Sequence, residues 1–236
     1  MYGYGYGYYG FDWTYVLLII GMLLSLAAST RLKSTFSYYR KIRSASGLTG
    51  AETAERILRA AGITDVHVRA ISGSLTDHYD PRTKTVSLSE DIYDKTSLAA
   101  VGVAAHECGH AIQHAIGYAP LEFRSAIVPV ANFGSTLSWP LFLIGLFSGI
   151  RPLVTAGIVL FSLAVLFQLV TLPVEINASS RALKMLQSTG ILGSDETKGA
   201  RKVLTAAAMT YVAALAASIL QLLRLLILAG ERRRDD

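Results

Sequence analysis

A second cysteine is missing. Cys108 stands alone among 236 residues, so no intramolecular disulfide can brace the chain. Charge is missing over long stretches: residues 13–30, 125–150, 152–174 and 203–223 contain no Asp, Glu, Lys or Arg. Each run approaches or exceeds the roughly 20 apolar residues that carry a helix across a bilayer. Together with a hydrophobic share of 52%, this excludes a single water-soluble domain and predicts a multi-pass membrane protein. Basic residues are missing from the Gly/Tyr-rich start, Met-Tyr-Gly-Tyr-Gly-Tyr-Gly-Tyr-Tyr-Gly, which therefore lacks the cationic opening of a cleavable signal peptide. The first apolar run is expected to be a retained anchor, with Tyr8, Tyr9 and Trp13 at headgroup level. Acidic residues, in turn, are missing among Arg31, Lys33, Arg40, Lys41 and Arg43 just beyond it. By the positive-inside rule the N-terminus then lies outside and residues 31–124 in the cytoplasm. The position of this basic cluster beside a membrane span accounts for it, and a net charge of +5 adds nothing, so nucleic acid is not an expected partner.

The second and third runs are separated by little more than Arg151-Pro152 and read as a helical hairpin that leaves and re-enters on one face. A crossing by the fourth run places Arg232, Arg233 and Arg234 outside, against the same rule. Four crossings are the expectation. The alternative is an interfacial 203–228 segment with Arg224 snorkelling. The chain thus divides into a tail (1–12), an anchor (13–30), a cytoplasmic module (31–124), a transmembrane hairpin (125–174), a helix (175–202), a fourth transmembrane or interfacial helix (203–230) and a charged end (231–236).

Within the module, His106-Glu107-Cys108-Gly109-His110 reads H-E-x-x-H. On a helix this puts two imidazoles four residues apart on one face with a carboxylate beside them, the arrangement of a zinc hydrolase in which Glu107 takes a proton from water. The surroundings favour a helix: 97–116 is rich in alanine and free of proline, and Gly117 and Pro120 supply stop signals. A catalytic zinc site needs a third protein donor. Glu175, at the end of the third apolar run, is the best candidate, and the even number of intervening crossings returns it to the face that carries His110. His114, eight residues past His106, lies too far along the axis to share an ion with both histidines, at about 1.5 Å per residue. It reads as a supporting or solvated group. Cys108 points off the histidine face and reads as packing.

Ahead of this helix, 49–62 carries helix start and stop signals with Ala54, Ile57, Leu58 and Ala61 at helical spacing. Val66, Val68 and Ala70 alternate with polar residues, as do 85–89, predicting two half-buried strands around a turn at 77–84. The strand preceding H-E-x-x-H could offer its edge to an extended peptide, or serve only as a structural hairpin. His78 and Tyr79 are candidates for stabilising an oxyanion. His67 reads as an exposed strand residue.

Three stretches in order, 72–81 (Ser-Gly-Ser-Leu-Thr-Asp-His-Tyr-Asp-Pro), 104–113 (Ala-Ala-His-Glu-Cys-Gly-His-Ala-Ile-Gln) and 172–183 (Leu-Pro-Val-Glu-Ile-Asn-Ala-Ser-Ser-Arg-Ala-Leu), resemble the YugP-like bacterial membrane zinc metallopeptidases. More distantly, the layout is similar to that of HtpX-type membrane proteases, whose third ligand begins an E-x-x-x-D motif after a pair of membrane helices. The resemblance implies a gluzincin-type site with one Zn²⁺ per chain on His106, His110 and Glu175, and Glu107 as general base. Ser179 stands where the aspartate of that motif would be, leaving Asn177, Ser179 and Arg181 as candidates for orienting a ligand. The expected protein is mostly α, with about four transmembrane helices and a small α+β zincin-like module. It hydrolyses protein or peptide substrates next to membrane lipid, and nothing in the sequence fixes its oligomeric state. Two other readings are an intramembrane site-2-type protease, which would bury the H-E-x-x-H helix in lipid, and a non-proteolytic zinc-binding membrane scaffold.

Overall fold

The computed structural model describes residues 12–231. The expected headgroup residues Tyr8 and Tyr9, and Arg232, Arg233 and Arg234, lie outside them. The elements run α1 (Tyr15–Tyr39), α2 (Gly50–Ala60), β1 (His67–Ile71), β2 (His78–Asp80), β3 (Thr85–Ser89), α3 (Leu98–Ala115), α4 (Ala119–Ser148), α5 (Arg151–Ser188) and α6 (Ser194–Glu231). The protein is a mostly helical membrane protein carrying a small α+β module. Helices α1, α4, α5 and α6 are long and apolar enough to cross a bilayer. Their outward side chains are those of a lipid-facing surface: Leu26, Phe133 and Phe147 are 61%, 63% and 83% exposed, a display that water would penalise at about 25 cal/mol per Å².

Local chemistry sets the element ends. Thr49 and Glu52 form a reciprocal capping box at α2, with Glu52 N–H donating to Thr49 Oγ1 (3.1 Å) and Thr49 N–H to Glu52 Oε2 (2.8 Å). Ser97 caps α3 by accepting from the Ala100 N–H at 3.2 Å. Gly117 (φ +62°) and Gly149 (φ +77°) adopt the left-handed conformation that ends α3 and α4. Pro152 then sits in the first turn of α5, where a missing N–H costs nothing.

Helices α4 and α5 form the hairpin. They approach so closely at Gly145 and Gly157 that a Cβ there would stand 2.6 Å from the Val154 backbone and 2.8 Å from Phe142. α5 does not stop at the membrane boundary. It continues without a break through Glu175 to Ser188, so the third ligand candidate rides on the spanning helix itself, and residues 189–202 belong to a turn and the start of α6. α6 runs antiparallel to α1, in the register fixed by Gly21 against Ala217 and Gly199 against Tyr39. Arg224 does not snorkel. It is buried, ion-paired with Asp12 at 3.6 Å, donates from Nε to Thr14 Oγ1 at 3.2 Å and stacks over the Tyr15 ring. The C-terminal part of α6 is thereby fastened to the start of α1.

The three strands form one sheet in the order β1-β3-β2, with β1 parallel and β2 antiparallel to β3. This corrects two expectations. β3 is the central strand, so the strand just ahead of the H-E-x-x-H helix has no free edge to offer. It is also buried at every position rather than alternately. Its hydroxyl residues tolerate burial because they are bonded: Ser87 Oγ accepts from Arg69 Nε (3.1 Å), Ser89 Oγ donates to Asp77 Oδ2 (3.0 Å) and Thr85 Oγ1 to the Thr83 carbonyl (3.0 Å). β2 lies within the stretch expected to be a turn, the actual turn being confined to 81–84. In β1 the expected alternation fails at Ala70, which is exposed, while Val66 and Val68 pack on the core.

That core is organised around α3. Ala100, Val101, Ala104, Ala105 and Cys108 are fully buried against Ile57 of α2, Val86 and Leu88 of β3, Leu186 of α5 and Val203 of α6. Small residues let the neighbours come close: a Cβ on Gly109 would meet the Ala178 carbonyl oxygen of α5 at 2.5 Å. α3 is thus held between the sheet and the ends of two long helices that extend from the bilayer, which fixes where its polar face points.

Candidate metal centre

α3 presents His106 and His110 one turn apart, and α5 presents Glu175 opposite them. Glu175 Oε2 lies 3.3 Å from His106 Nε2 and 3.6 Å from His110 Nε2, and the three donor atoms lie within 4.8 Å of one another. Metal–ligand bonds of about 2.0–2.1 Å at tetrahedral angles require donor separations of about 3.3–3.4 Å. The cluster therefore has the donor types and very nearly the spacing for one zinc ion. All three side chains are at least four-fifths hidden from solvent, so this carboxylate and these imidazoles were taken out of water to face one another.

Hydrogen bonds behind the ligands aim them. The His106 ring places Nδ1 3.1 Å from Ser179 Oγ, leaving Nε2 toward the cluster. Behind His110 the assignment is tighter. Gln113 Nε2 reaches the Val174 carbonyl (2.9 Å) and Asn177 Oδ1 (3.0 Å). A carbonyl can only accept, so this end of Gln113 is the amino group and its other end is Oε1. Oε1, 3.0 Å from His110 Nδ1, accepts the imidazole proton there, which fixes the tautomer and leaves the His110 Nε2 lone pair for a metal. Arg181 Nε donates to the same Asn177 oxygen at 2.7 Å and stacks on Tyr118. The three candidates left open by the sequence take different places: Ser179 touches His106, Asn177 acts on His110 through Gln113, and Arg181 braces Asn177.

Glu107 is buried on the same helix and lines the cavity that holds the cluster. Burial pushes its carboxyl up from the ordinary range, against the opposing influence of His106 and His110. For His110, burial works against the charged form, but the Glu175 hydrogen bond and the charges of Glu107 and Glu175 outweigh it and raise the imidazole. Cys108 is fully buried, reaches toward the Ala54 carbonyl and has its thiol raised by burial, as a packing residue should.

The cavity in front of the cluster holds about 740 Å³ and is walled by β2 and the turn after it, by Arg124 and Val128 of α4 and by Tyr211 of α6. A second recess of about 190 Å³, lined mainly by Leu75, Val103, Val203 and Leu204, opens on His106, Glu107 and Glu175 from the other side. Of the two oxyanion candidates, His78 lines the cavity with its Nδ1–H donating to the Thr76 carbonyl at 2.9 Å. The Tyr79 hydroxyl is bonded to His114 Nδ1 at 2.8 Å, and burial pushes its pKa up to about 12. His114 is thus a partner of β2 rather than part of the cluster, and His67 is exposed on β1.

Two residues at the site escaped the sequence reading. Gln113, buried behind His110, carries no signature beyond lying three residues after it, although it falls inside the 104–113 stretch. Tyr211 is placed beside Glu175 by α6 from within an uncharged run, where a tyrosine looks like any lipid-facing aromatic.

Two histidines and a carboxylate from separate helices, with a buried glutamate at a cavity mouth, define the class of zinc-dependent hydrolases. Comparison with known proteins narrows this. Residues 14–230 match the family described as "putative neutral zinc metallopeptidase", and the chain belongs to that family. It is 49% identical over 220 residues to the "putative membrane protease YugP" of Bacillus subtilis (strain 168), covering 93% of this chain and 98% of that protein. No solved structure matches the chain.

Proposed function

We propose that this protein is a membrane-embedded zinc endopeptidase of the gluzincin type, one ion per chain, with its site facing the cytoplasm. The observation that carries this reading is the convergence of His106, His110 and Glu175 in one cavity with Glu107 alongside. Zinc held there would supply Lewis acidity, polarising a carbonyl and making water acidic enough to ionise near pH 7. Glu107 takes the proton of the attacking water on a carboxylate oxygen and delivers it to the amine nitrogen as the peptide bond breaks. Ser179 and Gln113 hold the two imidazoles so that neither rotates when substrate enters. β2 is the edge of the sheet that borders the cavity, so an extended peptide adding to it would lie across the cluster, with one apolar side chain filling the smaller recess. Tyr211 faces the cavity and its hydroxyl is the group placed to donate to the carbonyl oxygen as it gains charge, whereas His78, whose Nδ1–H goes to the Thr76 carbonyl, keeps only an acceptor at Nε2. α3 packs inside the module, against β3 and α2, and is not among the helices apolar enough to span. That favours a site at the membrane boundary over one within the bilayer.

The test compares cleavage of an unfolded protein by the detergent-purified, zinc-loaded chain with cleavage by its Glu107→Gln variant. Wild type should give product and the variant about 10²–10⁴-fold less, in line with the loss of a general base, at equal zinc content. Equal rates from the two would remove Glu107 from the chemistry, and zinc-loaded wild type without product on any unfolded substrate would favour a scaffold.

A further inference from the structure

Helices α1 and α6 pack against each other along their length. A Cβ on Gly21 would meet Ala217 at 3.1 Å, and Tyr39 covers Gly199 with its ring 2.9 Å from where a Cβ would stand. Along their seam runs an open groove of about 1320 Å³, floored largely by apolar and small residues such as Leu23, Ala27, Met209 and Ala213. Arg31 enters it from α1, and Arg201 and Lys202 from α6. Among the described residues no carboxylate lines the groove, and none of these three cations has an ion pair. Of the exposed cations nearby, Lys198, one turn before Lys202, is paired with Asp195, and Arg40 with Asp91, whereas Lys33, Lys41 and Arg43 beyond the groove extend its basic rim.

We propose that this groove binds one anionic glycerophospholipid, its phosphate held by Arg31, Arg201 and Lys202 and an acyl chain lying between α1 and α6. Length and charge both fit. From Arg31 to Leu23 the helix rises about 12 Å at 1.5 Å per residue, close to the roughly 15 Å depth of one leaflet's hydrocarbon. The cations sit toward the end of α1 that leads into the module, on the membrane face that carries the sheet and the metal cluster. Basic residues at that level attract anionic headgroups, whereas a neutral headgroup offers no net charge in return. A second copy of this chain is the other conceivable occupant, but it would have to bring carboxylates to three cations. The exposed face of α1 between Tyr15 and Thr30 has none.

The experiment is native mass spectrometry of the full chain in detergent, titrated separately with phosphatidylglycerol and phosphatidylcholine of identical acyl chains. Wild type should retain one phosphatidylglycerol at a concentration about tenfold or more below that needed for phosphatidylcholine, given three uncompensated cations. Arg31→Gln/Arg201→Gln/Lys202→Gln should abolish the preference. Should that variant insert poorly, Ala27→Trp, which keeps every charge but fills the groove, should lose the bound lipid of either kind. Displacement of the adduct by millimolar inorganic phosphate would mean a phosphate site without a lipid site and would overturn the proposal. So would equal retention of the two lipids by wild type, an Ala27→Trp variant that binds like wild type, or a stable dimer broken by Ala27→Trp with no lipid bound.

Discussion

Two helix junctions in this molecule each close on a glycine, and they are built to different tolerances. Where α3 meets α5, a Cβ on Gly109 would stand 2.5 Å from a backbone oxygen, and around it both histidines of the candidate metal centre are held by a named partner. Where α1 meets α6 the corresponding approach at Gly21 is 3.1 Å, against a methyl group and its Cα, and an open groove runs along the seam. The first junction must hold three donor atoms from two helices within 4.8 Å, a geometry that a displacement of an ångström would spoil. The second has only to remain apolar beside lipid and to keep α6 fastened. At the candidate centre close packing and buried polar bonds bring donor atoms together; at the α1–α6 junction the bonds of Arg224 to Asp12 and Thr14 fasten one end, and an open groove remains farther along.

The contrast can be broken most severely at its polar centre. Glu175→Ala should lower zinc affinity by more than the roughly 100-fold that loss of an outer partner costs, read as metal content after dialysis; full occupancy would remove Glu175 from the ligand set. Next comes the packing: Gly109→Val drives a branched side chain into the Ala178 backbone and should cost about 3 kcal/mol, the upper end for overpacking, together with zinc loss. A variant as stable as wild type would mean α3 and α5 are not in register as described. Gln113→Leu leaves His110 Nδ1–H and the Val174 carbonyl without their partner and should weaken zinc about 10–100-fold. Ser179→Ala should have a smaller effect, about tenfold or less, because His106 loses a single hydroxyl contact; the reverse order would overturn the roles assigned to these two residues. Gly21→Ala completes the series. It should change the melting temperature little, by the equivalent of about 1 kcal/mol or less, and leave zinc content untouched, which would confirm that this junction is the tolerant one.

What could be read from the sequence followed from periodicity and parity. α3 was legible because helix formers run from a serine cap to a glycine stop, and the histidines fall four apart on one face. Glu175 was legible because two uncharged runs with one short break must return the chain to the membrane face it left. The sheet was not legible. Thr85, Ser87 and Ser89 look like the wet face of a half-buried strand, yet they are dry because Arg69, Asp77 and the Thr83 carbonyl satisfy them. For Ser87 that satisfaction depends on a parallel neighbour whose pairing no local pattern announces. Nor did the 174–175 boundary mark an element end, because a helix leaving a bilayer changes solvent without changing its hydrogen bonds. Gln113 and Tyr211 were missed for a common reason: a single neutral polar residue on a helix gains meaning only from what another helix brings opposite it.

The unbroken passage of α5 from the far end of the hairpin to Ser188 also orders events in time. A ribosome delivers His106 and His110 first, on a helix that is complete by Ala115. The third donor arrives only after α4 and α5 have been made, and it reaches the histidines only when that pair has folded back across the bilayer. A chain whose α4–α5 pair has yet to enter the membrane therefore carries two of the three donors of the candidate centre, and insertion of that pair brings the third.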